Sequence, residues 1–210
     1  MSMSHRNPLF DGKPPYPLLV VLSGPSGVGK DTLLMRMREL GFPFHFVVTA
    51  TSRPIRPGER DGYDYHFVTK ERFEQMIAQE ELLEWAEVYG HYKGIPKSEV
   101  REAFASGKDV ILRIDVQGCE TIRQLAPEAV FVFITPGSFD ELYARLRLRR
   151  TESEQELDRR LTVARHELEQ AEAFDYLVVN KQDQIDEAVG AIRAIIVAEK
   201  HRVSMRRVNL

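Results

Sequence analysis

Gly24-Pro25-Ser26-Gly27-Val28-Gly29-Lys30 has the residue types and spacing that chemistry on phosphates requires. Glycines let backbone N–H groups close around phosphate oxygens, and the lysine supplies a mobile positive charge. The apolar run at residues 18–22 reads as a strand and residues 32–37 read as the start of a helix, whose positive end would face the anion. A strand, a glycine-rich turn and a helix in that order distinguish a phosphate-binding P-loop from an ordinary turn, so the segment reads as a nucleotide site. One position departs from the pattern. Asp31 stands where a P-loop has Ser or Thr to hold Mg²⁺, and Thr32 comes one place too late. A carboxylate is a hard oxygen ligand and suits a helix N-terminus, yet it sets a negative charge beside phosphates, so Mg²⁺ binding is expected in altered form.

Further residues suit the same chemistry. Arg53 and Arg56 lie three apart on a segment stiffened by Pro54 and Pro57, an arrangement able to grip several oxygens of one terminal phosphate, or simply a pair of exposed arginines. Asp115 ends an apolar run, which puts its carboxylate at the sheet edge that carries the P-loop; there it holds Mg²⁺ or caps the following turn. Arg145 and Arg149 share a helix face and Arg160 lies on the next helix. These three form either a lid over transferring phosphates or a solvated basic face bridged to Glu141, Glu152 and Glu156.

The elements that must position these groups follow from apolar periodicity. The P-loop helix should stop near Gly41, and residues 44–48 read as a second strand. Residues 49–64, with their arginines, prolines and glycines, read as a polar loop-like insertion. Thr69 is placed to cap a helix with Phe73, Met76 and Ile77 on one face, and residues 81–87 follow as an edge segment. The continuous apolar runs at 110–114 and 129–134 are typical of parallel strands buried on both sides. Ser138 with Glu141, and Ser153 with Glu156, match the capping box at two helix starts, the second helix carrying Leu157, Leu161, Ala164, Leu168 and Ala171 on one stripe. Residues 176–179 give another strand, and Ile185, Val189, Ile192 and Ile196 a closing helix. The class is α/β, a P-loop-type parallel sheet flanked by helices, with ligands at the carboxyl ends of its strands.

Composition narrows the function classes. A chain of 210 residues with 43% hydrophobic content supports one domain with inserts. A net charge of −3 gives no global attraction to nucleic acid, and no apolar run approaches the roughly 20 residues that cross a bilayer. The single cysteine, Cys119, excludes a disulfide framework within the chain and suits a reducing cytoplasm.

Taken together, the P-loop, Thr49-x-x-x-Arg53-x-x-Arg56-x-Gly58-Glu59, Asp64-Tyr65-x-Phe67, Glu84-Trp85-Ala86, Ile114-Asp115-x-Gln117-Gly118, Arg145-Leu146-x-x-Arg149 and Arg160-Leu161 resemble the motifs of guanylate kinases in kind and order. Residues 1–17, rich in Pro, Gly and charge, read as a flexible tail, and the resemblance implies a domain at 18–205. Within it, the core would be 18–48, 101–137 and 166–205, with a GMP-binding insertion at 49–100 and a lid at 138–165. It implies phosphorylation of GMP, and of its 2′-deoxy form, by ATP with Mg²⁺ in purine nucleotide metabolism. It further implies a cytoplasmic monomer or homodimer with no nucleic-acid or membrane partner. By the same likeness Arg53, Arg56, Glu59 and Tyr65 belong to the GMP phosphate site, and Thr49 and Glu84 read guanine. Gly24 to Thr32 and Asn180 hold ATP, Asp31 and Asp115 meet the metal, and Lys30, Arg145, Arg149 and Arg160 stabilise the group in flight. Glu84 is chemically apt, since a carboxylate accepts two parallel hydrogen bonds from guanine's N1–H and 2-amino group.

The chain departs from the family pattern in several places. Lys93 and Ile95 stand where a tyrosine and a hydroxyl residue are usual, Arg113 replaces an acidic residue, and Arg150 replaces a glycine. Lys93 would then be a substitute donor to guanine's oxygen. Asp31 after the P-loop also resembles ribose 1,5-bisphosphokinases, which lack the loop at 53–59, and a non-catalytic guanylate-kinase-like module is a further alternative.

Overall fold

The structure, a computed structural model, describes residues 16–88, 90–148 and 154–208. Its strands in chain order are β1 (Leu19–Ser23), β2 (Phe44–Phe46), β3 (Ala50–Thr51), β4 (His66–Phe67), β5 (Leu82–Val88), β6 (His91–Pro96), β7 (Asp109–Arg113), β8 (Val130–Pro136) and β9 (Tyr176–Asn180). The helices are α1 (Lys30–Glu39), α2 (Lys70–Ala78), α3 (Lys97–Ala105), α4 (Val116–Leu125), α5 (Phe139–Leu148), α6 (Glu154–Glu169) and α7 (Ile185–Lys200).

Strands β2, β7, β1, β8 and β9, in that order, form an all-parallel sheet. Alternate residues of β1 enter opposite cores. Val20 and Leu22 pack with Leu33 and Met37 of α1 and with Val189 and Ile192 of α7, whereas Leu19 and Val21 pack with Val100 of α3 and Ile122 of α4. A strand covered on both faces needs apolar residues at every position, which is why the runs in β1, β7 and β8 are continuous. With β1 central and parallel to β7 and β8, the P-loop after β1 and Asp115 after β7 emerge at the same carboxyl edge.

The second sheet, in the order β4, β3, β6, β5, is built from the chain between β2 and α3. Ala50, Phe73, Met76 and Leu82 give it a core of its own. Thr69 caps α2 as its position predicts, accepting from the Arg72 N–H at 3.1 Å. The segment expected to be wholly loop contains β3, because Ala50 and Thr51 are laddered antiparallel to Gly94 and Lys93 of β6, a pairing too short to show as alternation. Residues of β6 and α4 complete the site, although the apolar pattern gives no expectation for these elements.

Helices α5 and α6 pack on each other through Leu142, Leu146, Leu157, Leu161 and Ala164. Ser138 accepts from the Glu141 N–H at 3.1 Å, but the Glu141 carboxylate returns to the Gly137 N–H at 3.2 Å. The predicted stripe outruns its helix, for α6 stops at Glu169 and a short 3₁₀ turn, Gln170–Ala173, carries Ala171. Ser153, Glu152 and the tail up to residue 15 lie outside the described residues.

Gly24 ties the P-loop to the sheet. It has φ of +138°, and a Cβ there would stand 2.1 Å from the backbone oxygen of Ile134 on β8. Backbone on backbone cannot yield cheaply. Gly24→Ala is expected to destabilise the fold by about 2–4 kcal/mol, as strain at a special dihedral combines with overpacking; a urea midpoint equal to that of the parent would contradict this close approach.

Candidate active site

The loop between β1 and α1 closes on itself. The Lys30 ammonium donates to the Gly24 carbonyl, and to that of Pro25 at 3.3 Å. Around the loop, neighbouring elements bind its outward groups. Arg145 and the Asn180 side-chain amide both donate to the Val28 carbonyl, at 3.0 and 2.8 Å, and Arg145 also donates to the Asn180 carbonyl at 2.9 Å. Arg145 and Asn180 therefore brace the loop on the side of α5 and β9. Arg160, buried on α6, donates to the Ser26 hydroxyl at 2.9 Å. Glu167, about two helical turns further along α6, accepts from the Ser26 N–H at 3.2 Å, so a carboxylate holds one of the loop's amides. Arg149 lies outside the described residues.

A cleft of about 850 Å³ opens in front of this loop. Residues 25–32 line one wall; Thr49, Arg53, Arg56, Tyr65 and Glu84 line the other, with Arg113 and Asp115 between them. Residues as distant in sequence as Pro25 and Asp115 thus share one cavity. Within the far wall, Glu59 binds Arg53 through both carboxylate oxygens at 2.8 and 2.9 Å and accepts the Arg56 N–H at 2.8 Å. Glu59 consequently shapes the arginine loop. The Arg53 guanidinium also lies 5.1 Å from the centre of the Tyr65 ring.

At the junction of the walls five charged groups interact. Arg113 pairs with Asp31, and Lys93 donates to Asp115 at 3.0 Å, while Lys30 is in electrostatic contact with both carboxylates. Burial pulls the Lys30 ammonium below the usual lysine range. Burial opposes ionisation of Asp31 and Asp115 as well, but Arg113 beside the first and Lys93 beside the second hold both carboxyls below their ordinary values. Asp115 occupies the N-cap position of α4 without capping it, so its side chain is committed to Lys93. Lys93, read from the sequence as a donor to a base oxygen, gives its ammonium to this carboxylate.

Glu84 on β5 is the exception among the acids. Burial, with the Asp115 charge adding to it, pushes its carboxyl up to about 7. Its carboxylate packs on α4, where a Cβ at Gly118 would stand 2.7 Å from the Glu84 Cδ. Gly118 thus makes room for an acid at the foot of the cleft. In the sequence Gly118 is visible only as part of a motif, and nothing there marks Glu167. The apolar stripe of α6 hides it, since Glu167 is one of several acids flanking that stripe.

Comparison with known proteins gives a consistent result. A family model described as guanylate kinase matches residues 16–199. "Guanylate kinase 2, chloroplastic/mitochondrial" of Oryza sativa subsp. japonica is 50% identical over 198 residues, covering 94% of this chain and 70% of its own. The guanylate kinase of Desulfitobacterium hafniense is 46% identical, over 90% of this chain and 94% of its own. The crystal structure of guanylate kinase from Anaplasma phagocytophilum superposes with a TM-score of 0.74 at 32% identity, over 90% of this chain and 89% of that one.

The contact between Gly118 and Glu84 can be tested alone. In Gly118→Ala the added methyl group displaces the Glu84 carboxyl toward the open cleft, and its pKa is expected to fall by roughly one unit as solvent returns. Carbon-detected NMR titration of the side-chain carboxyls measures this. An unchanged Glu84 titration in a folded variant would contradict the packing described.

Proposed function

The chain belongs to the guanylate kinase family, and from that membership we propose that it transfers the γ-phosphoryl group of ATP to GMP, giving ADP and GDP. The observation that carries this reading is the single cleft in which the P-loop faces the Arg53, Arg56 and Tyr65 wall with Glu84 beneath. A donor triphosphate on the first wall and an acceptor monophosphate on the second would meet between them.

The reaction forms a bond from a GMP phosphate oxygen to the γ-phosphorus and breaks the bond from that phosphorus to the β,γ-bridging oxygen. The attacking oxygen is already ionised at neutral pH, so no general base is required. The obstacle is repulsion, as the two nucleotides together bring about six negative charges, counting a phosphate monoester as near −2. Lys30, Arg53, Arg56, Arg145 and Arg160 are the cations that offset it, Arg145 in part by bracing the P-loop. Arg149 joins them by its place in the motif. Asn180 supports the ATP side, Thr49 and Glu84 read the base, and Tyr65 with the arginines takes the acceptor phosphate. The units proposed for these tasks are a core, the insertion at 49–100 and a lid at 138–165, with α6 already against the P-loop through Arg160 and Glu167.

Mg²⁺ fits this site chemically. Asp31 and Asp115 are hard oxygen donors kept ionised by their neighbours at the P-loop mouth, and these two carboxylates would meet an ion brought in with ATP. Bound there, the ion would neutralise charge on the phosphates. Neither carboxylate is free of a protein cation, which is consistent with a metal held chiefly by the nucleotide.

Two outcomes are expected. Lys30→Met lowers kcat by roughly a hundredfold to a thousandfold with modest change in KM, because its charge matters most as the phosphoryl group moves; wild-type turnover in that variant would exclude P-loop catalysis. Glu84 must be ionised to accept both guanine donors, so GMP binding strengthens as pH rises through about 7 and is lost on the acid side. One unit below that point the ionised fraction, and with it the contribution to 1/KM, is down about tenfold. The GMP phosphate titrates nearby, so the profile is read against Glu84→Gln, which should lack this component. Identical profiles for the two proteins would contradict the assignment.

A further inference from the structure

Three sequence departures meet in space. Asp31, Lys93 and Arg113 come from α1, β6 and β7, yet Arg113 pairs with Asp31, and Lys93 is in electrostatic contact with both Arg113 and Asp31. Independent surface drift would not bring three altered positions to one point at the junction of the two walls.

Arg113 is the centre of this arrangement. It projects from the carboxyl end of β7, an interior strand of the parallel sheet, with its side chain only 10% exposed, and still lines the cleft. Burying a guanidinium is costly unless its N–H groups are satisfied, and an apolar residue would serve a purely structural end as well. Beyond Asp31 its bonds are long, 3.4 Å to the Thr49 hydroxyl and 3.3 Å to the Asp64 carbonyl, both in the acceptor wall. The guanidinium lies 4.3 Å from the centre of the Tyr65 ring, the same ring that carries Arg53. A planar fork anchored at one end and weakly bonded at the other has donors to offer an anion arriving at Tyr65.

We propose that Arg113 is a further phosphate-binding residue, which grips the phosphate of the acceptor nucleotide beside Tyr65 while Asp31, from the P-loop helix, anchors the guanidinium. This rests on the acceptor being a guanine mononucleotide. The pair then does two things that a P-loop hydroxyl and an acidic residue at these positions would not. It adds a fixed cation where donor and acceptor phosphates meet, and it links the P-loop helix to the acceptor wall through one side chain. Asp31 acts as the anchor of a positive group, so its negative charge beside the phosphates is offset in place.

The experiment is equilibrium binding without metal, in EDTA, with GMP and with guanosine, which has the base and lacks the phosphate. Calorimetry reads the first and competition NMR the second. Arg113→Met should weaken GMP by about tenfold to hundredfold, the range of a charge-assisted hydrogen-bonded contact. Guanosine should stay within about twofold, since on the base side Arg113 gives up no more than its long 3.4 Å bond to the Thr49 hydroxyl. Parallel losses for both ligands would mean that Arg113 only props the fold, and no loss for either would mean that it meets no phosphate; each overturns the proposal. Should the Met variant fail to fold, Arg113→Lys, which keeps the charge without the fork, gives a smaller loss confined to GMP. Asp31→Asn removes only the anchor's charge and should leave GMP affinity within about threefold, because the guanidinium remains; a loss as large as that of Arg113→Met would reverse the roles assigned to the pair. Wild-type protein that binds guanosine and GMP equally would bring down the acceptor-site reading itself, a result that no variant is needed to see.

Discussion

The proposed transfer requires two phosphate chains to approach end to end in one cleft, and the electrostatic cost of that approach governs the rest of this molecule. At an effective dielectric near 20, two unit charges about 4 Å apart repel by roughly 4 kcal/mol, and several such pairs are formed at once. The structure answers with cations from separate elements: Lys30 from α1, Lys93 from β6 and Arg113 from β7, with Arg53 and Arg56 opposite and Arg160 above. Left alone these cations would repel one another. Asp31 and Asp115 stand among them, so that the cleft is an alternating network instead of a bare positive hole.

Parallel topology makes this assembly possible. Because β1 and β7 run side by side, the P-loop and Asp115 leave the sheet at one edge, and two helix N-termini, those of α1 and α4, open toward the same cleft. The second sheet then brings Glu84 and Lys93 over that edge from a segment more than 50 residues after the P-loop. Two glycines permit the approach, Gly24 against β8 and Gly118 against Glu84, each where a methyl group would collide with its neighbour. Burial pushes the Glu84 carboxyl up to about 7, which places the acid proposed to read the base at the border of ionisation near neutral pH.

Much of this was legible in the sequence, and for identifiable reasons. Strands buried on both faces advertise themselves as unbroken apolar runs, and the P-loop is a local motif whose glycines, lysine and flanking elements lie within one stretch of chain. The arginine loop was visible for the same reason, as Arg53, Arg56 and Glu59 are near neighbours and bond to one another. What pattern could not show were contacts between distant segments. Arg113 and Lys93 appeared only as departures from a family pattern, and nothing in the one-dimensional record says that position 31 touches position 113. Glu167 was masked by the helical stripe it flanks, and β3 was too short for its alternation to register.

The proposed transfer depends on donor and acceptor phosphates being held face to face in one cleft. It is tested most directly with a bisubstrate ligand in which adenosine and guanosine are joined through a five-phosphate chain that spans both walls at once. Calorimetry should show this ligand binding at least about a hundredfold more tightly than ATP or GMP alone, since linking two ligands of adjacent sites makes the second contact intramolecular. An affinity no greater than that of the better single nucleotide would show that the two walls do not serve one reaction, and would contradict the account.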